Sequence, residues 1–478
     1  MCRSVRPALS RRTLPVSRTR PRREPVMVSS LRPILSLLLG AAFILAGNGL
    51  QFTLLPLRGE AEGFSAIALG LLGSAYYVGF VAGCLLGPYL VLRAGHIRAF
   101  AAMVSIASAV VLGYTMTVDP VLWSILRAIT GFCLAGLYLI IESWLNDSAT
   151  NQNRGLVMSA YIVVNFATIT IGQMLVTLNP VKSFASFALA SMLASVAVVP
   201  VALTRSAQPA PIALIRFSPK RLYRSAPVGL VGAFMIGVAN GAFWSLGPLF
   251  ATGSGLGVDD AAMFMSTAVI AGALAQWPVG RLSDSFDRRK VLAVLLVGAA
   301  FSGIALWLTP LSPTTLAVLA FVFGALTLPG YSLAAAHAYD NTPRGGYVET
   351  AAGILLSNGL GSVFGPSLAS LLVIRLGPGA LFLFTAITQV VLLAFILWRV
   401  SVRSPRPSAE KSGFDLSATA PVGGAITPNP LDTLDPLVHV PNTPPAPPRP
   451  PASPPSSPSS GTAPAANEDP TETAKGAA

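Results

Sequence analysis

Apolar residues in this chain come in long unbroken blocks separated by short polar punctuation. Twelve such blocks, each near the ~20 residues a helix needs to cross ~30 Å of hydrocarbon, lie at about 33–55, 66–91, 98–118, 121–145, 154–178, 182–203, 226–251, 259–280, 290–309, 314–338, 347–373 and 378–399. Strands of a membrane barrel would alternate apolar and polar positions over about ten residues, and these blocks do not alternate. The pattern predicts an all-α polytopic membrane protein with twelve transmembrane helices. The longest connection inside the bundle, 204–225, divides it into two six-helix halves, 33–203 and 226–399.

Composition agrees: 53% of the 478 residues are hydrophobic and 11% charged, against roughly 25% charged in soluble domains. The flanks differ from the blocks. Segment 1–32 is basic, with eight arginines and one acid, Glu24, in its first 26 residues. Met27 opens a compact membrane-protein start, MVSSLRPILSLLLG, so one reading places translation there; the other is a basic tail for anionic lipid or nucleic acid. Segment 400–478 is rich in Pro, Ser and Ala, too poor in bulky apolar side chains to bury a core, and reads as a disordered tail with polyproline-II character.

Lys and Arg set the orientation. With both termini in the cytoplasm, the external loops hold only Arg58, Lys182 and Arg375, Arg127 lies within a span, and the remaining 28 of 32 basic residues fall inside. The expected location is the plasma (bacterial inner) membrane, as a multi-pass monomer.

The halves repeat. Asn48 lies eight residues before Pro56, and Asn240 eight before Pro248, an offset of 192. Gly79, Gly87, Gly131, Asn165 and Gly172 recur as Gly272, Gly280, Gly324, Asn358 and Gly365, all at 193. Parallel repeats of this kind place a substrate site between the halves near mid-membrane and work by rocking one half against the other.

Polar residues inside the blocks are the candidate chemistry. Asn48, Gln51, Asn165, Asn240, Gln276 and Asn358 are intramembrane amides, with Asn48 and Asn240 the strongest cavity candidates; Tyr76, Tyr138, Trp244 and Trp277 would line an amphipathic pocket, or simply pack. Arg127 sits about six residues into its span, where an unpaired, lipid-facing Arg is costly. It either faces the cavity, holding an anionic solute group or coupling to a proton site, or snorkels to the headgroups. Glu142 follows fifteen residues later, ~22 Å along the helix, too far to pair with it. Glu142 is read as a gate partner of Arg93 or Arg98, and Asp340 as the equivalent for Arg288 or Arg289. The absence of a central Asp or Glu in any span weighs against proton coupling. Three scattered cysteines and three scattered histidines give no disulfide framework, metal set or catalytic constellation, and there is no G-x-x-x-x-G-K-[ST] nucleotide loop. The chain is therefore read as a non-enzyme without cofactors.

One charged turn, GRLSDSFDRRK at 280–290, interrupts the apolar blocks. With twelve spans in 6+6 halves and a basic central loop, it resembles the loop signature G-x-L-a-D-r-x-G-R-R-k of the major facilitator superfamily. Gly280, Leu282, Asp284, Arg288, Arg289 and Lys290 match, and Asp287 stands where Gly is usual. The copy at 87–98, GPYLVLRAGHIR, keeps Gly87, Arg93, Gly95 and Arg98 but has Val91 near the place of the acid. Arg127 followed by Gly131 is similar to the superfamily's fourth-span motif, often associated with proton coupling. The fifth-span G-x-x-x-G-P of drug/proton antiporters is absent there and occurs as Gly361, Gly365 and Pro366 in span eleven. IIESW…NRG and LAQWPVGRLSD also resemble a bacterial branch of permeases of unassigned substrate.

The resemblance implies a secondary transporter of a small organic solute working by alternating access, with a co-transported proton as one option. It also implies that Asp284 faces the start of span five near Arg154 and Gly155, latching the halves in the outward-facing state. Two other readings remain open at this point: a translocator of lipids or amphiphiles on the same fold, and a non-transporting receptor or scaffold using its Pro-rich tail. The expected partners are a small-molecule solute and the bilayer, with no nucleic acid.

Overall fold

The computed structural model describes residues 34–149, 153–204, 209, 218–310, 312–342 and 346–402, with the side chain of Arg154 left out. The basic N-terminal segment, most of the 204–225 connection and nearly all of the 400–478 tail lie outside these. Every regular element among the described residues is helical. Twelve helices are long and apolar enough to span a membrane: Leu35–Ala61, Ala66–Ala94, His96–Met116, Pro120–Ser148, Gly155–Leu178, Phe184–Ala202, Pro227–Gly253, Val258–Ser285, Arg288–Leu308, Pro313–Asp340, Tyr347–Leu376 and Ala380–Val402. They are called spans one to twelve below. Several outrun the apolar blocks by a turn or more, because the helix continues into polar residues such as Arg58 and Glu60; Arg58 pairs at 2.8 Å with Glu62, the residue just past the helix end.

Side-chain caps explain several helix starts. Ser65 accepts from Ala68 N–H, Asp119 from Leu122 N–H ahead of Pro120, and Ser312 from Thr315 N–H ahead of Pro313, each satisfying a donor the first turn leaves open. Pro329 interrupts span ten between Thr327 and Gly330, as expected where a ring replaces a backbone N–H.

The sequence repeat is a repeat of packing. A Cβ on Gly131 of span four would strike the Tyr76 carbonyl of span two, and one on Gly324 of span ten would strike the Ala268 carbonyl of span eight. Gly172 meets the Ala46 carbonyl of span one in the same way, and Gly365 the Val238 carbonyl of span seven. Glycine permits this close helix approach in both halves.

With twelve spans, the described chain begins and ends on one face, called here the terminal face; the other is the far face. The halves meet unequally at the two. Toward the far face they share one apolar cluster, which joins Leu50, Leu54 and Leu72 of the first half to Phe243, Leu246 and Phe250 of the second. Three contacts reinforce it: the Ser74 and Ser367 hydroxyls share a 2.7 Å hydrogen bond, Thr252 donates to Glu60 at 2.9 Å, and Ser266 donates to Gln173 at 3.4 Å. Toward the terminal face each half keeps its own clusters, and the crossing contacts come from Tyr339, Ala351, Ala352 and Leu355. The structure is thus closed at the far face.

Candidate functional site

Between the halves lies a cavity of about 270 Å³. Asn48 of span one, Asn165 of span five, Asn240 of span seven and Asn358 of span eleven all line it, so the two repeat-related asparagine pairs converge on one space. Gln276 joins them. Asn358 donates to the Ala233 carbonyl at 3.0 Å, whereas Asn48 Oδ1, Asn240 Oδ1 and Gln276 Oε1 are buried without a hydrogen-bond partner. Such acceptors are costly to leave unmet and are available to a solute donor. The rest of the wall is mainly aromatic: Phe52, Tyr76, Tyr77, Phe80, Tyr138, Phe166, Trp244 and Tyr331. No charged residue lines it among those described.

Several candidate residues lie elsewhere. Gln51 is 4% exposed, donates to the Gly47 carbonyl at 3.3 Å and does not line the cavity. Phe52, one position on, takes the wall; it lies only about 40° around the helix from Asn48. Trp277 faces outward at 57% exposure with the Arg281 guanidinium 4.1 Å from its ring centroid, as amphipathic rings do at an interface. Arg127 differs from the cavity-facing expectation: it is 3% exposed and stands behind Phe52 and Tyr76, each ring centroid 4.6 Å from its guanidinium carbon.

The candidate gating groups sort into two settings. Glu142 is fully buried and accepts from the Tyr161 hydroxyl at 3.0 Å, while Arg93 and Arg98 are exposed; its expected pairing with either of these two does not occur among the described contacts. In the 280–290 turn, span eight ends at Ser285 and span nine begins at Arg288. Arg288, its side chain 1% exposed, donates through Nε to Asp340 at 2.7 Å and reaches Asp284 at 3.3 Å and Ser283 at 3.2 Å. Arg289 does not reach Asp340 as expected. It pairs with Asp287 at 2.9 Å, because Asp287 caps span nine and accepts from Arg289 N–H. Burial pushes the Asp287 carboxyl up, but hydrogen bonds from the Arg289 side chain and backbone outweigh it and hold the group below its ordinary value. Gly280 is buried and accepts from Ser283 through its carbonyl at 2.7 Å. In the first-half copy Gly87 packs at ordinary distance against Gly136 and Leu139. The expected contact of Asp284 with Arg154 falls on a side chain outside those described.

Aromatics at Phe52, Tyr77 and Tyr331 were not singled out from sequence. For Phe52 the available signal was its i+4 spacing from Asn48, which sets both on one helix face. Among the described residues no group of three His, Cys, Asp or Glu comes together.

Known proteins place this architecture. The family model described as Major Facilitator Superfamily matches residues 37–312 and 229–450. The chain is 28% identical over 385 residues to an Escherichia coli protein named uncharacterized MFS-type transporter YcaD, covering 80% of this chain and all of that one. The solved structure of a mutant of the nucleoside transporter NupG superposes with a TM-score of 0.66 at 14% identity, covering 76% of this chain and 98% of that one. A bacterial homolog of the human lysosomal transporter Spinster, in an inward-facing and occupied conformation, gives 0.64 at 15% identity, with 81% and 99% covered. Twelve spans, two packed repeats around a central cavity and a family match across both halves lead to one conclusion: this chain is a membrane transporter belonging to the Major Facilitator Superfamily.

Proposed function

We propose that the chain moves a small, uncharged organic solute through the central cavity by alternating access, as a secondary transporter with both termini in the cytoplasm. The observation that carries this is the lining itself: five amides and eight aromatic rings, with no charged group, around about 270 Å³. That volume sits just below the ~300–1,000 Å³ usual for small-molecule sites. Amides read hydrogen-bonding groups and rings hold a flat apolar face, so the solute carries both. A lipid tail would leave the amide acceptors unmet, which disfavours the lipid-translocating reading. The far-face closure fits an inward-facing state once the Lys and Arg distribution puts the terminal face inside.

The test begins with untargeted solute profiling of cells lacking and overproducing the chain. Uptake of the displaced compound into proteoliposomes, with and without a pH gradient, then follows. The reading expects saturable uptake that falls at least about tenfold in Asn48→Ala and Asn240→Ala. A pH gradient that drives accumulation would assign a proton as the coupling ion. Unchanged uptake in both variants would remove the cavity from the transport path. Deleting 404–478 should leave uptake intact, whereas a scaffold would lose its activity with the tail.

A further inference from the structure

Arg127 presents a puzzle the cavity alone does not answer. The residue is 3% exposed, its Nη1 has no hydrogen-bond partner, and no carboxylate pairs with it among the described residues. A buried cation without a counter-charge is expensive; two rings, Phe52 and Tyr76, each 4.6 Å away, help to offset it, and the Tyr114 side chain also interacts with it. Desolvated cation–π contacts are the strong kind. Phe52 and Tyr76 also touch each other edge to face, with centroids 4.9 Å apart.

Phe52 then reaches across the interface. Its centroid lies 5.9 Å from that of Trp244 in the second half, and Trp244 rests at 5.7 Å on Phe243 of the shared far-face cluster. Phe52, Tyr76 and Trp244 all line the cavity, on the side toward the far ends of their spans. A continuous chain, Arg127 to Phe52 to Trp244, therefore runs from inside the first half to the second at the cavity's far end. Arg127, Phe52 and Tyr76 all belong to the first half and move together; only the Phe52 contact with Trp244 crosses.

We propose that the Phe52–Trp244 pair is the gate between the cavity and the far face, and that Arg127 is its positioning residue. In contact with both Phe52 and Tyr76, which also touch each other, the guanidinium completes a triangle that fixes the Phe52 ring against Trp244 in the far-closed state. Parting of the halves breaks the one ring contact and leaves the clamp intact, so the same ring returns to the same place. The inference rests on the alternating-access reading.

The test uses the full chain with Cys2, Cys84 and Cys133 replaced by Ser and one reporter, Ile169→Cys, on the half-buried cavity wall. A membrane-impermeant maleimide is applied to the far face in intact cells and to the terminal face in inverted vesicles. Labelling of the parent reporter protein from both faces tests alternating access itself; labelling from one face alone rejects that reading whatever the variants do. For the gate, Arg127→Met and Phe52→Ala should each raise far-face labelling by at least about tenfold without raising terminal-face labelling. Arg127→Lys, which keeps the cation, should fall between. A general loosening of the bundle would raise both faces together and overturn the proposal. So would an unchanged far-face rate in Arg127→Met alongside a raised one in Phe52→Ala. If Arg127→Met does not yield folded protein, Trp244→Ala and Arg127→Lys decide by the same ratio: both must favour the far face, and an unchanged ratio in either refutes the clamp.

Discussion

The two copies of the charged turn occupy equivalent places in the repeat and solve the same problem differently. In the second half, GRLSDSFDRRK buries two arginines and surrounds them with acids: Arg288 with Asp284 and Asp340, Arg289 with Asp287. In the first half, GPYLVLRAGHIR turns on Gly95, whose φ of +80° favours a residue without a Cβ. Its Arg93 and Arg98 stay exposed, and Val91, near the lost acid, is 2% exposed inside the first half's apolar cluster. One turn is held by ion pairs and the other by packing. Where the second copy carries an acid the first carries an apolar residue, so the ion pairs seen between described residues of the two turns lie in the second copy.

Breaking the charged copy should cost most. Asp340→Ala removes the shortest ion pair of a guanidinium whose side chain is 1% exposed and leaves it Asp284 at 3.3 Å and Ser283 at 3.2 Å; it should destabilise by about 2–3 kcal/mol, read as a fall in melting temperature of the detergent-solubilised protein. Asp287→Asn keeps a capping side chain but loses the charge facing Arg289; about 1–2 kcal/mol should go. Its pH dependence has a fixed sign. A carboxyl held below its ordinary 3.8 in the folded state adds stability above that value and loses it as pH falls through the lowered one. The gap between parent and Asp287→Asn should thus be flat from about pH 5 to 8 and close only below about pH 4. Asp284→Asn touches a 3.3 Å pair whose acid is 37% exposed, so its stability effect should stay below about 1 kcal/mol. Its larger effect should be on state: a latch to the other half, lost with the charge, would raise cavity labelling from the terminal face. In the packed copy, Arg93→Ala and Arg98→Ala should each move stability by less than about 0.5 kcal/mol.

Much of the fold was legible because bilayer thickness imposes its length on every apolar block, and because a single repeat offset reappears as matched contacts at Gly131 and Gly324. The asparagines were legible for a related reason: a polar side chain in a span needs a partner or a cavity, and the repeat placed two pairs at matching depth. Three features were not legible. Gln51 and Phe52 are neighbours, and which one meets the cavity depends on helix rotation, set by the packing of Gly49 on the Ile169 carbonyl. Arg127 looked cavity-facing because its neighbours' rings, on two other spans, could not be seen to cover it. Arg289 looked as good a partner for Asp340 as Arg288, but the Asp287 cap, two residues away, pairs with it.

Distances across the two faces test the central claim most directly. Spin labels at Ala61 and Ser254 report the far face, and labels at Arg93 and Lys290 the terminal face, each pair placed on exposed residues of opposite halves. Alternating access predicts two populations for each pair in membranes, one matching the far-closed structure, and an opposite response of the two pairs when conditions shift the balance: the far pair lengthens as the terminal pair shortens. A single fixed distance at both faces, or two pairs that lengthen together, would contradict it.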